Sequence, residues 1–162
     1  MPGRLGSRHP SIAPFAAFAT RDGHIAIAAG NDDLWARVAK VLGREELIRD
    51  ERFRTNPSRV AHVEAMAEEM EQALSARASK DWLVALEAAG VPCGPLNDVA
   101  DVMADPQVLA RNMIVESLDP DLGPIRMQGN PVKLSAHEDS KTRGAAPDLD
   151  ADRAAILKML GL

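Results

Sequence analysis

The stretch GVPCGPLNDV, Gly90 to Val99, sets the only cysteine of the chain among two prolines and two glycines. A cysteine becomes a nucleophile when a nearby histidine or a helix N-terminus lowers its pKa. Cys93 instead follows a predicted helix C-terminus, where the helix dipole disfavours a thiolate. It therefore reads as a small, partly buried apolar side chain. Pro92, Gly94 and Pro95 read as a rigid turn that sets the exit direction of the chain. The histidines, His9, His24, His62 and His137, are far apart, and no pair has metal-ligand spacing on a helix. No catalytic residue and no metal ligand is assigned. Glu64 to Glu71 is rich in carboxylates and reads as the solvent side of a helix. The junction GNDDLW, Gly30 to Trp35, is a strand–turn–helix passage whose first backbone N–H groups are free to meet an anion or a carbonyl oxygen. Asp32 and Asp33 oppose phosphate there, since they already complement the dipole. Asn31 also fits the N-cap of the helix that follows.

Composition bounds what these residues can belong to. The chain has 162 residues, 46% hydrophobic and 27% charged, which is a globular composition. Aromatic residues make up 3% and tyrosine is absent, so the core must be built from Ala, Val, Leu, Ile and Met. The formal net charge is −5, with no basic tract interleaved with aromatics, so nucleic acid is not an expected partner. A single cysteine excludes an internal disulfide framework and a cysteine-rich zinc site. No apolar run approaches bilayer length and none resembles a signal core, so no membrane partner is expected and a cytoplasmic protein is the default. There is no P-loop, GxGxxG or GxSxG motif.

The elements that must position the junction follow from periodicity. PFAAFAT and HIAIAAG, joined through an Asp-Gly turn, predict a β-hairpin. Asn31 caps a predicted helix through Gly43 with Leu34, Trp35, Val38, Val41 and Leu42 on one face. REELIRDERF reads as a helical turn or two. Asn56 and Pro57 predict the cap and first turn of a longer helix carrying Val60, Val63, Met66, Met70 and Leu74. Ser79 caps the next, with Trp82, Leu83 and Leu86 on one side and a stop at Gly90. Two short helices follow, broken at Pro106. From Met113 the pieces MIVESLD, PIRMQGN and PVKLS read as extended, His137 to Pro147 as a polar linker, and Asp150 as the cap of a last helix ending at Gly161. The fold class is α+β. Residues 1–13 are a lead-in; 14–95 form a small domain of a β-hairpin or small sheet with several helices. Residues 96–162 are an extended return segment and a C-terminal helix.

Six landmarks stand in order from Gly6 to about Ser135: GSRHPSIAPF, DGHIAIAAGNDDLW, LGREELIRDERFRTNPSRV, LEAAGVPCGPLNDV, DPQVLARNM and GNPVKLS. Together they resemble the C-terminal part of family III CoA-transferases, the group that includes formyl-CoA transferase and carnitine CoA-transferase. The resemblance implies transfer of CoA between carboxylic acids through mixed-anhydride and thioester intermediates on an aspartate. That aspartate lies in an N-terminal large domain, upstream of the matched landmarks, so no aspartate here is given its role. The chain alone is expected to be inactive. The resemblance also implies that Gly30, Asn31 and Asp32 lie over the substrate end of the site. Acyl-CoA and a carboxylic acid are the implied partners, with coenzyme A a substrate and no resident cofactor.

Family members interlock as dimers, so a homo-oligomer, or association with the N-terminal half of a split enzyme, is expected. The glycine-rich loop of formyl-CoA transferase has no counterpart, so formyl or oxalyl specificity is not carried over. APDLDADR, Ala146 to Arg153, stands where members often carry a PxLGEHT-like segment. In the family the last helix packs on the large domain. Here Ile156, Leu157 and Leu160 are expected to find another cover, by folding back or by self-association. Alternatives are part of an α-methylacyl-CoA racemase-like enzyme and a non-catalytic interaction domain.

Overall fold

The structure, a computed structural model, describes residues 3–162, so Met1 and Pro2 of the lead-in lie outside the described residues. It is a mixed α+β fold with two three-stranded sheets. The chain divides into two compact units at the Leu96–Asn97 junction.

In the first unit, β1 (Phe15–Ala19) and β2 (His24–Ala28) form the expected hairpin, with Phe15 opposite Ala28 and Ala19 opposite His24. Period-two alternation buries Ile25 and Ile27 completely and leaves His24 and Ala26 exposed. The GVPCGPLNDV stretch departs from expectation. Cys93–Pro95 is not a free turn but a third strand, β3, antiparallel to β2 with Cys93 opposite Ile27 and Pro95 opposite Ile25. Its proline, Pro95, is compatible with this because β3 is an edge strand. The Ala28 amide bonds the Pro92 carbonyl at 2.9 Å. Alternation of the ladder then turns the Pro95 nitrogen away from β2, where no donor is required. At the opposite edge, Ser7 Oγ accepts from the Ala17 amide and Glu71 Oε1 from the Ala19 amide, so neighbouring side chains close the outer face of β1.

Helix α1 (Asp32–Val41) begins at the Asn31 cap as expected, and Gly43 follows it at φ +69. Glu45–Ile48 is a 3-10 turn. The long helix expected from Asn56 is two helices, α2 (Asn56–Ala61) and α3 (Val63–Leu74), separated at His62, whose φ of −119 and ψ of 33 are not helical. Its cap is Thr55 rather than Asn56: Thr55 Oγ1 accepts the Ser58 amide, while the Asn56 amide side chain bonds the Ala13 N–H and the Ser11 carbonyl. Helix α4 (Ser79–Ala88) also lacks the cap expected of it. Ser79 is its first helical residue, and its amide donates to Asp22 Oδ1 at 2.7 Å. A carboxylate in the hairpin turn thus does the capping. These elements enclose one core containing Trp35, Phe53, Met66, Met70, Leu74 and Trp82. Burial of each such side chain contributes about 1.5–3 kcal/mol.

In the second unit, Asp98 and Asp101 form a reciprocal capping box for α5 (Val99–Ala104), and Asp105 caps α6 (Pro106–Ala110). Strands β4 (Ile114–Asp119) and β5 (Gly123–Gln128) pair antiparallel. PVKLS forms no strand, whereas the expected linker contributes β6 (Thr142–Arg143), parallel to β4. Side chains explain why this polar stretch is ordered. Asp139 pairs with Lys133 and Arg143, and Asn112 Nδ2 donates to the Asp139 and Ser140 carbonyls. Helix α7 spans Arg153–Met159. Asp150 does not cap it: its φ is +68 and its carboxylate lies 3.6 Å from Arg153. Ile156, Leu157 and Leu160 are 48%, 36% and 63% exposed in this single chain.

Two outcomes follow for the second unit. A Cβ at Gly129 would stand 2.3 Å from the Asn112 carbonyl oxygen. Gly129→Ala is therefore expected to destabilise this unit by about 1–3 kcal/mol, read as a lowered denaturation midpoint. The Asp139 carboxyl is held down to about 2 from its ordinary 3.8, first by Lys133 and then by Asn112 and Arg143. A depressed carboxyl stabilises the fold above its unfolded pKa and loses that contribution as pH falls through its folded one. The β6 amides should thus stay protected down to about pH 4 and lose protection toward pH 2. Asp139→Asn should abolish that acid step.

Candidate functional site

Strand β2 runs into the candidate loop through Ala29, which is fully buried and donates its amide to the Pro14 carbonyl at 2.8 Å. The chain then surfaces: Gly30, Asn31 and Asp32 are all exposed. Asn31 is extended, with φ −143 and ψ 172, and its Oδ1 accepts the Leu34 amide at 2.8 Å. Its carbonyl accepts the Trp35 amide at 3.0 Å. Asn31 is thereby committed to capping, and the Asp32 and Asp33 amides have no protein acceptor among the described residues. Gly30 abuts the lead-in: a Cβ there would lie 3.9 Å from Ile12 Cγ2.

The carboxylates of the first turn are individually paired. Asp33 bonds Arg37 at 2.7 Å, one turn along α1, and both side chains are exposed. Arg37 also reaches the Ala89 carbonyl at 3.4 Å, near the end of α4. Asp32 bonds Arg59 at 2.7 Å. Arg59 is fully buried, and it is not among the residues that the sequence pattern singles out. Its guanidinium donates to the Ala13 carbonyl at 2.7 Å, the Phe53 carbonyl at 2.9 Å and Asp32 Oδ1. It lies over the Trp35 ring at 5.5 Å. The available signal was an arginine one residue before Val60, on the apolar side of a predicted helix. A charge on such a face must find partners inside.

Trp35 and Trp82 are core residues, as expected. Trp82 Nε1 donates to the Leu74 carbonyl at 2.8 Å, whereas Trp35 Nε1 is buried without a partner among the described residues. The carboxylates of α3 are not simply a solvent face. Glu64 pairs with Arg8, Glu69 with Arg44, and Glu71 accepts from β1, so they join α3 to its surroundings. Among the described residues no group of three His, Cys, Asp or Glu is arranged to hold a metal ion. The histidines do not meet; His9 stacks on Phe15 at 5.3 Å.

Cys93 is half-buried, with its sulfur 3.9 Å from the Leu83 carbonyl. Burial, followed by the negative charge of Glu87, pushes its pKa up from 9.0. Alkylation by iodoacetamide should therefore still be rising with pH at 9.0, with no plateau reached below it, and Cys93→Ala should abolish labelling. A half-maximal rate near neutrality would contradict an unactivated thiol.

The family model described as CoA-transferase family III matches residues 1–153. The chain is 43% identical over 157 residues to an acetyl-CoA:oxalate CoA-transferase of Acetobacter aceti, covering 97% of this chain and 39% of that protein. It is 36% identical over 140 residues to human succinyl-CoA:glutarate CoA-transferase, covering 86% of this chain and 32% of that one. A CAIB/BAIF family protein from Brucella suis, known as a crystal structure, superposes with a TM-score of 0.82 at 37% identity, over 98% of this chain and 40% of that one. The chain spans well under half the length of these relatives. It belongs to CoA-transferase family III.

Proposed function

We propose that this chain is the C-terminal part of an enzyme that moves CoA between carboxylic acids, and that Gly30, Asn31 and Asp32 lie at its substrate. The observation that carries this is the 43% identity over 157 residues to an acetyl-CoA:oxalate CoA-transferase. The human relative, named for succinyl-CoA and glutarate, supports a carboxylic acid as acceptor. The geometry of the loop supports the second half of the reading. Two amides of the first turn of α1 lack acceptors among the described residues and can donate to a carboxylate or thioester carbonyl oxygen. Asp32 and Asp33 oppose an anion less than their number suggests, since Arg59 pairs with one and Arg37 with the other. Coenzyme A enters as substrate. In this reading the chain supplies binding and orientation, and the group that carries the acyl intermediate comes from a large domain.

The test is a segment exchange. The part of the Acetobacter aceti enzyme that aligns with this chain is replaced by residues 1–162, and CoA transfer from acetyl-CoA to oxalate and to other dicarboxylates is followed. The chimera should transfer CoA, and the 162-residue chain alone should show no turnover. Turnover by the chain alone, or a folded chimera without transfer to any acid, would overturn the proposal. Co-purification with a separately encoded large domain, with gain of activity, would instead identify a split enzyme of the same chemistry.

A further inference from the structure

We propose that Arg59 is a positioning residue that acts through Asp32 to fix the Gly30–Asp32 loop. This rests on the reading that the loop lies at the substrate. The guanidinium comes from α2 and reaches three separate segments: Ala13 ahead of β1, Phe53 ahead of α2, and Asp32 at the start of α1. Two of its acceptors are main-chain carbonyls, and its side chain is 0% exposed. Its place is therefore set by the core. Asp32 is the other kind of group, 59% exposed and on the surface loop. The pair is thus a tether from a rigid interior point to a residue two positions from Gly30.

Other contacts of the loop do not do this work. Asp33 pairs with Arg37 of the same helix, and both are solvent-exposed, so that bond is weak and travels with α1. Among the described residues Asn31 bonds only into its own helix. Arg59 also stacks on Trp35, three residues past Asp32, so one guanidinium holds the helix start by its first residue and by the face of its first turn. The neighbouring Asn56 of α2 holds Ser11 and Ala13, which flank the Ile12 side chain that meets Gly30. One short helix therefore fixes the loop and the chain beside it. A lysine cannot replace this arginine, because a point ammonium lacks the planar fork that serves separated acceptors at once.

The first readout uses the 162-residue chain itself: amide hydrogen exchange at Leu34 and Trp35, the amides that Asn31 caps, compared with α3 and α4. Arg59→Lys and Asp32→Asn should each raise exchange at Leu34 and Trp35 by on the order of tenfold while α3 and α4 keep their protection. Asp32→Asn leaves both carbonyl bonds of Arg59 available, so it decides the matter if Arg59→Lys fails to fold. Uniform loss of protection across the first unit in Asp32→Asn, or no change at Leu34, overturns the positioning role whatever the enzyme does.

The second readout uses the active chimera. Arg59→Lys should raise KM by on the order of tenfold, with kcat changed less, since a loop misplaced by about 1 Å loses substrate orientation. Gly30→Val serves as the control for the loop itself. If Gly30→Val raises KM and Arg59→Lys does not, positioning is wrong while the loop reading stands. If neither moves KM although Leu34 exchange rises, the loop reading fails and the positioning role with it.

Discussion

A guanidinium buried among apolar side chains is the constraint around which the first unit is arranged. Removing the Arg59 charge from water costs several kcal/mol, which only good hydrogen bonds and an opposing charge can offset. Its partners are the Ala13 and Phe53 carbonyls, the Asp32 carboxylate and the Trp35 ring. None of these is near Arg59 unless the lead-in, the segment before α2 and the start of α1 have already come together. The arginine is therefore satisfied only in the finished fold. An unfinished one leaves a desolvated charge.

The same logic recurs at the hairpin. Asp22 sits in the β1–β2 turn and caps α4 from 57 residues away, and its carboxyl is lowered mainly by the Ser79 amide. Glu71 of α3 and Ser7 of the lead-in close the outer edge of β1. Polar side chains thus complete the backbone hydrogen bonding of distant elements, while the apolar core supplies the bulk of the driving force. The candidate loop emerges from this framework at Gly30. Its exposure and its free amides are consequences of where β2 ends and α1 begins.

The second unit is assembled differently. Its helices α5 and α6 bury no residue, and α7 is exposed along its length. Order there comes from local capping and from the Asp139–Lys133–Arg143 cluster, which brings β6 beside β4. Leu118, Leu122, Met159 and Leu160 are individually exposed apolar groups. The relatives matched by the chain are more than twice its length.

Local signals by themselves determined much of this molecule. The Asp-Gly turn, the Asn31 cap, the Gly43 and Gly90 stops, the Trp and Met stripes and the break at Pro106 all depend on residues close in sequence, and all are found where periodicity and turn chemistry put them. The order of six short landmarks carried the family. Much of what sequence alone missed has a common cause, because it is decided by partners outside the local element. Cys93–Pro95 became an edge strand because β2 offered a ladder, not because proline favours one. Thr55 caps α2 because Asn56 is engaged with Ser11 and Ala13, and Ser79 is served by Asp22. The polar stretch after His137 is ordered by a cluster of opposite charges that composition cannot place. For the candidate site, type and position of Gly30, Asn31 and Asp32 were legible, but their support was not. That Arg59 faces inward, meets Asp32 and leaves two amides of α1 without protein acceptors was decided only by tertiary structure, since a charge chooses its partners by distance in space.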